Sequence, residues 1–215
     1  MRYFDNNAIY GSINQGILKL YRGEKNILDI GCGQANLAKV LKNINPEVFI
    51  CGIDVSEDFG LTAKNNLDQF YLTDLDNGIL PELNKEFNLI ILGDIIEHLK
   101  RPDLLLIKLC KLLSKNGYMI ISVPNIAHYG IRRRLLFGKF EYVDSGIMDK
   151  THLRFFTDKT MRDLIDKSGL SVIGVEYNFD ARFDNLRRIK LFDFLLHKFY
   201  KFFAIQLIYK ISCVA

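Results

Sequence analysis

Residues 26–35 read NILDIGCGQA, and this stretch decides the fold class of the chain. Positions 26–30 form a short apolar run that is typical of a buried strand, and residues 36–41 follow with a helical pattern. Gly31 and Gly33 lie between the two, where glycine lets the backbone approach a ligand closely. The free N–H groups at the start of the next helix favour an anion. The stretch therefore predicts a ligand site at the end of the first strand.

The remainder of the chain alternates short β-branched runs with longer helical patterns. Further strands are predicted at residues 48–53, 69–72, 87–92, 118–123, 171–177 and 204–214. Two strong helices are predicted, one at 102–114 with Asn116-Gly117 as its stop signal and one at 157–168 with Thr157 as its N-cap. Because alternation requires crossover connections, we predict an α/β fold with a doubly wound, mostly parallel sheet of seven strands. Such a sheet binds ligands beyond the carboxyl ends of its strands.

Length and composition narrow the class of protein. The 215 residues predict one domain over 1–215, and a long connection at about 124–156 predicts a lid insertion after strand five. The net charge of +4 is too small to indicate a nucleic-acid partner. Four scattered cysteines predict reduced thiols, and no apolar segment is long enough to suggest a membrane span. We therefore expect a cytoplasmic protein.

Carboxylates follow two of the predicted strands. Asp54 ends strand two, where its oxygens can accept hydrogen bonds from the two hydroxyls of a ribose; capping of the next helix is the alternative. Asp74 ends strand three, where it suits an adenine amino group with Leu75 against the ring; a solvated turn is the alternative. Together they indicate a cofactor that contains adenosine.

The spacing of small residues distinguishes two such cofactors. Starting at Asp29, the chain has small residues at positions 31, 33 and 35, the last being Ala35. This spacing matches the DxGxGxG pattern of a methyl-donor site. A nicotinamide dinucleotide site needs its third small residue at position 36, where this chain has Asn36. The spacing therefore favours the methyl donor.

A second motif follows strand four, where residues 92–99 read LGDIIEHL. Combined with ILDIGCG and the acidic residue after strand two, it resembles class I S-adenosylmethionine-dependent methyltransferases. Residues 122–157 resemble bacterial members encoded with surface-polysaccharide glycosyltransferases and, more distantly, the MetW-type proteins. The resemblance implies a Rossmann-like methyltransferase fold with S-adenosyl-L-methionine as cofactor. It places Asp29 and Gly31 at the methionine part, with Cys32 and Gly33 in the same turn, Asp54 at the ribose, Asp74 and Leu75 at the adenine, and Asp94 near the methyl group.

Histidines are the candidates for a catalytic base. A hydroxyl acceptor must lose its proton as the new bond to carbon forms, so the base has to lie near the methyl group. We rank His152 first because the insertion that carries it can follow the acceptor, then His98 after strand four, and then His128. For His98 the alternative is a bond to local backbone. No metal is expected, although Asp94, Glu97 and His98 offer an alternative ligand set at helical spacing.

Two segments of the sequence indicate candidate binding partners, an acceptor molecule for one and a membrane surface for the other. The insertion combines cations with aromatic rings, namely Arg132, Arg133, Arg134 and Lys139 with Tyr129, Phe137, Phe140 and Tyr142. Arginine prefers phosphate and rings stack on sugar faces, so we expect a small-molecule or glycan acceptor that carries phosphate; a solvated helix face is the alternative. Residues 186–209 predict a crossover helix and the start of the last strand, with peripheral contact to an anionic membrane as the alternative.

The function expected from these features is methylation of a sugar hydroxyl in a nucleotide-linked, lipid-linked or polymeric surface glycan. One alternative is methylation of a small metabolite such as a phenol or a carboxylate. Another is a catalytically silent module that has the methyltransferase fold and binds a partner enzyme. A nicotinamide-dependent sugar oxidoreductase is disfavoured by Asn36 and by the absence of a Tyr-x-x-x-Lys pair.

Overall fold

The computed structural model describes residues 13–77, 79–183 and 190–213, and within them seven strands form one sheet. The strands are β1 Asn26–Ile30, β2 Phe49–Asp54, β3 Gln69–Leu72, β4 Phe87–Gly93, β5 Leu113–Pro124, β6 Leu170–Phe179 and β7 Ala204–Cys213. Their order is β3-β2-β1-β4-β5-β7-β6, with β1 to β5 parallel and β7 antiparallel to both of its neighbours. The predicted α/β fold with a doubly wound, mostly parallel sheet is confirmed. The order reverses beside β1, which lies between β2 and β4.

Eight helices surround the sheet in the described part of the chain. They are α1 Gln15–Leu20, α2 Asn36–Ile44, α3 Glu57–Ala63, α4 Pro102–Cys110, α5 Tyr129–Leu136, α6 Asp158–Lys167, α7 Lys190–Lys198 and α8 Tyr200–Phe203, with 3₁₀ turns at Leu75–Asn77, Ile96–His98 and Ala181–Phe183. The N-cap predicted for α6 is confirmed: Thr157 Oγ1 accepts a hydrogen bond from the Thr160 N–H, and the Thr160 hydroxyl accepts one from the Thr157 N–H. Each described helix is too short or too polar to cross a lipid bilayer.

The helix predicted at 102–114 is shorter than expected. It ends at Cys110, and β5 begins at Leu113, so Asn116-Gly117 lies inside a strand and does not stop the helix. The cause is pairing with β4, whose register shifts between Phe87 and Leu89. A side chain at Gly117 would come within 2.8 Å of the Phe87 carbonyl oxygen, so glycine fits this irregular position.

Apolar side chains of β1 pack on both faces of the sheet. Leu28 belongs to a buried cluster with Leu106 of α4 and Met161 of α6, while Ile27 belongs to a second cluster with Ala38 of α2. Because helices cover both faces, a ligand reaches the sheet only at its edge, beyond the carboxyl ends of the strands.

The expectation of reduced thiols is wrong for one pair of cysteines. Cys110 at the end of α4 and Cys213 at the end of β7 form a disulfide, with their Cα atoms 6.0 Å apart. They are 103 residues apart in the chain, and the position of β7 in the sheet, between β5 and β6, brings them together. Cys32 and Cys51 are free and buried. The predicted strand end at Val214 lies outside the described residues.

We expect Gly52→Ala to destabilise the protein, because a Cβ at this position of β2 would lie 2.5 Å from Leu67 Cδ1 and 2.7 Å from Cys32 Sγ. Overpacking of a buried site costs about 1–3 kcal/mol of unfolding free energy. Urea denaturation measures the loss. Gly174→Ala in β6 is the matched control, since its Cβ would lie 3.4 Å from Lys210 Cβ, an ordinary contact. Equal losses in both variants would contradict the packing argument.

Candidate active site

The glycine turn after β1 is folded tightly against the end of β2. The N–H groups of Gly31 and Cys32 donate to the Ile53 carbonyl oxygen at 2.8 and 3.2 Å. Gly31 has φ +71°, and a Cβ there would lie 2.8 Å from Ile95 Cδ1, so this position requires glycine. Ala35, the third small residue, also has a positive φ of 56° and precedes the first turn of α2. The turn thus brings backbone to the switch point of the sheet.

Asp54 connects this turn to the next helix. Its Oδ2 accepts a hydrogen bond from the Gly33 N–H at 2.8 Å, and its Oδ1 accepts one from the Ser56 N–H at 2.9 Å. Ser56 in turn caps α3. The alternative in which Asp54 itself caps this helix is therefore wrong, because Ser56 is the N-cap. The ligand role stays a prediction, and each carboxylate oxygen of Asp54 keeps a second lone pair for a hydroxyl donor.

A cavity of about 150 Å³ opens where β1 to β4 end. It is lined by Gly31, Ile53, Asp54, Val55, Thr73, Asp74, Leu75, Asp76, Ile95, His98 and Leu99. Of the residues predicted to bind a cofactor, Gly31, Asp54, Asp74 and Leu75 thus meet at one place. Asp74 is exposed at the rim, where its Oδ1 accepts a hydrogen bond from the Asp76 N–H at 2.9 Å.

Two other predicted cofactor residues have side chains buried below the turn. Cys32 Sγ packs beside Gly52, and burial raises the pKa of its thiol. Asp29 is only 5% exposed, and this burial, together with the charge of Asp54, raises the pKa of Asp29 to about 7. Cys32 contributes its backbone to the site, and Asp29 is a largely protonated carboxyl group under the turn at acidic pH.

Asp94 directs its carboxylate away from the cavity, toward β5 and β7. Its Oδ1 accepts hydrogen bonds from Ser122 Oγ at 3.1 Å and from Gln206 Nε2 at 2.6 Å. Gln206 Oε1 accepts in turn from Asn14 Nδ2 at 2.8 Å and Asn178 Nδ2 at 2.7 Å. No pattern noted in the sequence predicted this network. The one available signal was Gln206, an amide within the otherwise apolar start of β7.

Glu97, His98 and His152 form a compact cluster beside the cavity. The rings of His98 and His152 meet edge to face with centroids 4.8 Å apart, and His152 Nε2 lies 3.9 Å from Glu97 Oε1. The backbone creates the cluster: the Glu97 carbonyl oxygen accepts hydrogen bonds from the N–H groups of Leu153 and Arg154 at 2.9 and 3.1 Å. The two histidines ranked highest as bases are thus brought together.

Burial shifts the pKa values of Glu97 and His152 in this cluster. Glu97 is 1% exposed, and burial with the charges of Asp94 and Asp149 raises its pKa well above the ordinary range. Burial, and then the neighbouring His98, lowers the pKa of His152, which favours a neutral imidazole. The ligand set considered from sequence, Asp94 with Glu97 and His98, is not the one assembled here, because His152 takes the place of Asp94.

His128 has a local structural role. Its Nδ1 accepts a hydrogen bond from the Gly130 N–H at 3.2 Å and thereby caps α5. Its Nε2 is buried and has no hydrogen-bond partner among the described residues. His128 thus caps α5 and is not part of the cluster formed by Glu97, His98 and His152.

The three consecutive arginines of the insertion point to different places. Arg132 donates from Nε to the Ala127 carbonyl oxygen at 2.6 Å and lies over the Phe202 ring. Arg134 forms an ion pair with Glu141 at 2.7 Å, and Arg133 is exposed. The three side chains therefore do not converge on one point in this structure, and the phosphate contact expected from sequence stays a prediction.

Comparison of the sequence with known families gives a consistent result. A family described as methyltransferase domain matches residues 9–175, more than half of the chain. The mitochondrial ubiquinone biosynthesis O-methyltransferase of Homo sapiens is 25% identical over 166 residues, which is 71% of this chain and 44% of that protein. An uncharacterized protein of Methanocaldococcus jannaschii is 28% identical over 198 residues, 83% of this chain and 72% of that protein. The chain thus spans less than half of the human relative.

Solved structures share the fold. A SAM dependent methyltransferase from Archaeoglobus fulgidus has a TM-score of 0.62 at 18% identity. The match covers 92% of this chain and 90% of the Archaeoglobus chain. The plantazolicin methyltransferase BamL, solved with a triazolic desmethylPZN analog and SAH, has a TM-score of 0.62 at 21% identity. That match covers 95% of this chain and 83% of the BamL chain. At these identities the likeness concerns the architecture of the sheet and its helices.

We expect the raised pKa of Asp29 to make folding stability depend on pH. Between its ordinary pKa of 3.8 and about 7, the folded protein holds a proton that the unfolded chain has released. The contribution of Asp29 to the unfolding free energy therefore falls as pH rises through this window, by roughly 1.4 kcal/mol per unit. Asp29→Asn removes the effect, so its stability relative to the natural chain should rise from pH 4 to 7 and then level off.

Urea denaturation at several pH values measures this difference. Asp58→Asn is the control because Asp58 is exposed on the first turn of α3. A stability difference for Asp29→Asn that does not change between pH 4 and 7 would contradict a protonated carboxyl group at this position.

Proposed function

This chain belongs to the methyltransferase domain family, and from that premise we propose that it transfers a methyl group from S-adenosyl-L-methionine to a hydroxyl oxygen. The observation that carries the choice of a hydroxyl is the pair of His98 and His152, which lies beside the cavity with a ring separation of 4.8 Å. A carboxylate acceptor has a lone pair ready for attack, whereas a hydroxyl must lose its proton as the new bond to carbon forms.

The cavity offers groups that fit the methyl donor. The carboxylate of Asp54 keeps free lone pairs for the ribose hydroxyls, Leu75 provides an apolar surface for adenine, and the missing side chain of Gly31 leaves room for close approach. The donor supplies a methyl group already activated on a sulfonium, so the protein mainly has to position the acceptor and manage its proton.

Residues of the cluster and of the insertion can remove the acceptor's proton and position the acceptor. A neutral His152 can take the proton of the acceptor hydroxyl, and His98 lines the cavity beside it. The hydrogen bonds from Leu153 and Arg154 to the Glu97 carbonyl oxygen hold the insertion at the end of β4, where it screens the site from water. The geometry therefore supports base catalysis at the boundary between cavity and insertion.

For the acceptor we propose the hydroxyl of a sugar in a nucleotide-linked, lipid-linked or polymeric glycan. Phe155 lies 6.1 Å from the His152 ring and contacts Phe140 and Tyr142, so aromatic faces suited to a sugar ring stand next to the base. The resemblance of residues 122–157 to methyltransferases encoded with glycosyltransferases supports the same class. A phenol is the second candidate, because the human relative is named as an O-methyltransferase of ubiquinone biosynthesis.

If Asp54 binds the ribose of the methyl donor, Asp54→Asn should weaken binding of that donor. An amide places a donor against either the Gly33 or the Ser56 N–H and removes the charge that strengthens the ribose hydrogen bonds. We expect the affinity for S-adenosylhomocysteine, measured by calorimetry, to fall about ten- to a hundredfold, equivalent to roughly 1.5–3 kcal/mol. Asp58→Asn should leave it unchanged. Undiminished binding by a folded Asp54→Asn variant would place the ribose elsewhere.

If His152 is the base, His152→Ala should lower the turnover number. With sugar nucleotides and simple phenols as acceptors and the methylated product followed by mass spectrometry, kcat should fall by about 10²–10⁴ while donor affinity stays constant. His197→Ala is the matched control, since His197 is exposed on α7. Near-normal turnover in both His152→Ala and His98→Ala would rule out a hydroxyl acceptor that needs activation by these groups.

A further inference from the structure

The cluster beside the cavity contains a buried carboxyl group, that of Glu97. Glu97 is 1% exposed, and neither of its two carboxylate oxygens has a hydrogen-bond partner among the described residues. An isolated buried carboxylate is costly unless it is protonated, paired or bound to a cation. His152 Nε2 lies 3.9 Å from Glu97 Oε1, which is too long for a hydrogen bond.

The surrounding donor atoms complete a ligand set. One ligand atom each from Glu97, His98 and His152 lie within 4.8 Å of one another. A carboxylate oxygen and two imidazole nitrogens are a common combination at catalytic metal sites, which keep further positions open for water or substrate. From this arrangement we infer that Glu97, His98 and His152 bind a divalent transition-metal ion at the boundary between the cavity and the insertion.

The orientation of both imidazoles supports this site. His152 Nδ1 lies 3.3 Å from the Ile147 carbonyl oxygen, and a carbonyl can only accept, so the proton of a neutral ring belongs on Nδ1 and Nε2 offers its lone pair toward Glu97. His98 Nδ1 lies 3.3 Å from the Thr151 carbonyl oxygen, which directs the free lone pair of that ring to Nε2 as well. Metal-binding histidines are oriented in this way by an outer hydrogen bond to a backbone carbonyl.

The donor set also selects the kind of ion. Imidazole suits zinc, iron, copper and nickel, whereas magnesium and calcium prefer sites made of oxygen alone. Metal–ligand bonds of about 2.0–2.2 Å require the three donor atoms to move closer together than the 4.8 Å within which they lie here. Because His152 comes from the insertion and Glu97 and His98 follow β4, the ion would join the two segments directly.

The role of such an ion rests on the proposed function, whereas its binding does not. With the ion bound, His152 Nε2 is a ligand and no longer a base, so the ion would activate the acceptor hydroxyl in its place. An ion held by three protein ligands has an open position for that hydroxyl and lowers its pKa as it does that of water, so the proton can leave to solvent. A hydroxyl pair on neighbouring atoms, as in a sugar diol or a catechol, can occupy two open positions at once. The site therefore favours acceptors with two adjacent oxygens over isolated alcohols.

Binding is tested on the full chain after removal of metals with a chelator. Titration with Co²⁺, followed by visible absorption, and with Zn²⁺, followed by calorimetry, should show one site per chain. Glu97→Gln, His98→Ala and His152→Ala should each weaken binding at least about tenfold. His197→Ala is the control and should bind like the natural chain. Glu97→Gln preserves the shape of the side chain, and urea denaturation reports whether each variant keeps its fold.

The outcomes separate this inference from the proposed function. No stoichiometric binding of Co²⁺ or Zn²⁺ by the natural chain, or equal binding by all variants, overturns the metal site. Stoichiometric binding that depends on the three residues supports the site even if no hydroxyl acceptor is ever methylated, a result that would count against the proposed function alone. Full methyl transfer by the metal-free protein overturns the role of the ion in activating the acceptor.

Discussion

The carboxylate of Asp54 holds together the part of the molecule on which the cavity depends. By accepting the N–H groups of Gly33 and Ser56, it fixes the glycine turn after β1 and the start of α3 with a single side chain. Charged hydrogen bonds of this kind are stronger than neutral ones, and at 9% exposure they are little weakened by water. The walls of the cavity therefore exist before any ligand arrives, and little ordering is needed on binding.

A second constraint places the insertion. The Glu97 carbonyl oxygen receives two N–H groups from Leu153 and Arg154, so the chain between β5 and α6 returns to the end of β4 at one defined point. This return brings His152 beside His98, and contacts of the two rings with the Ile147 and Thr151 carbonyl oxygens orient them. Backbone pairing thus creates the cluster, and the identities of the side chains give it chemical properties.

Sequence patterns predicted most of the fold and about half of the site, for identifiable reasons. Strands such as β1 and β3 have clear apolar runs, and Gly31, Asp54, Asp74 and Leu75 follow strand ends, so both their existence and their meeting place could be inferred. The end of α4 was placed incorrectly because Asn116-Gly117 has the composition of a helix stop but occupies an irregular strand position. Contacts between Asp94 and Gln206, or between Glu97 and His152, depend on pairings over long sequence distances that local periodicity does not encode.

The position of β7 has a consequence for how this molecule is made. β7 is the last described strand in the chain, yet it lies inside the sheet between β5 and β6 and supplies Gln206 to the network around Asp94. A nascent chain emerging from the ribosome as far as residue 203 has β6 without its sheet neighbour and leaves the edge of β5 unpaired. Open edges of this kind attract other strands, and this half of the sheet can close only after β7 has been synthesised.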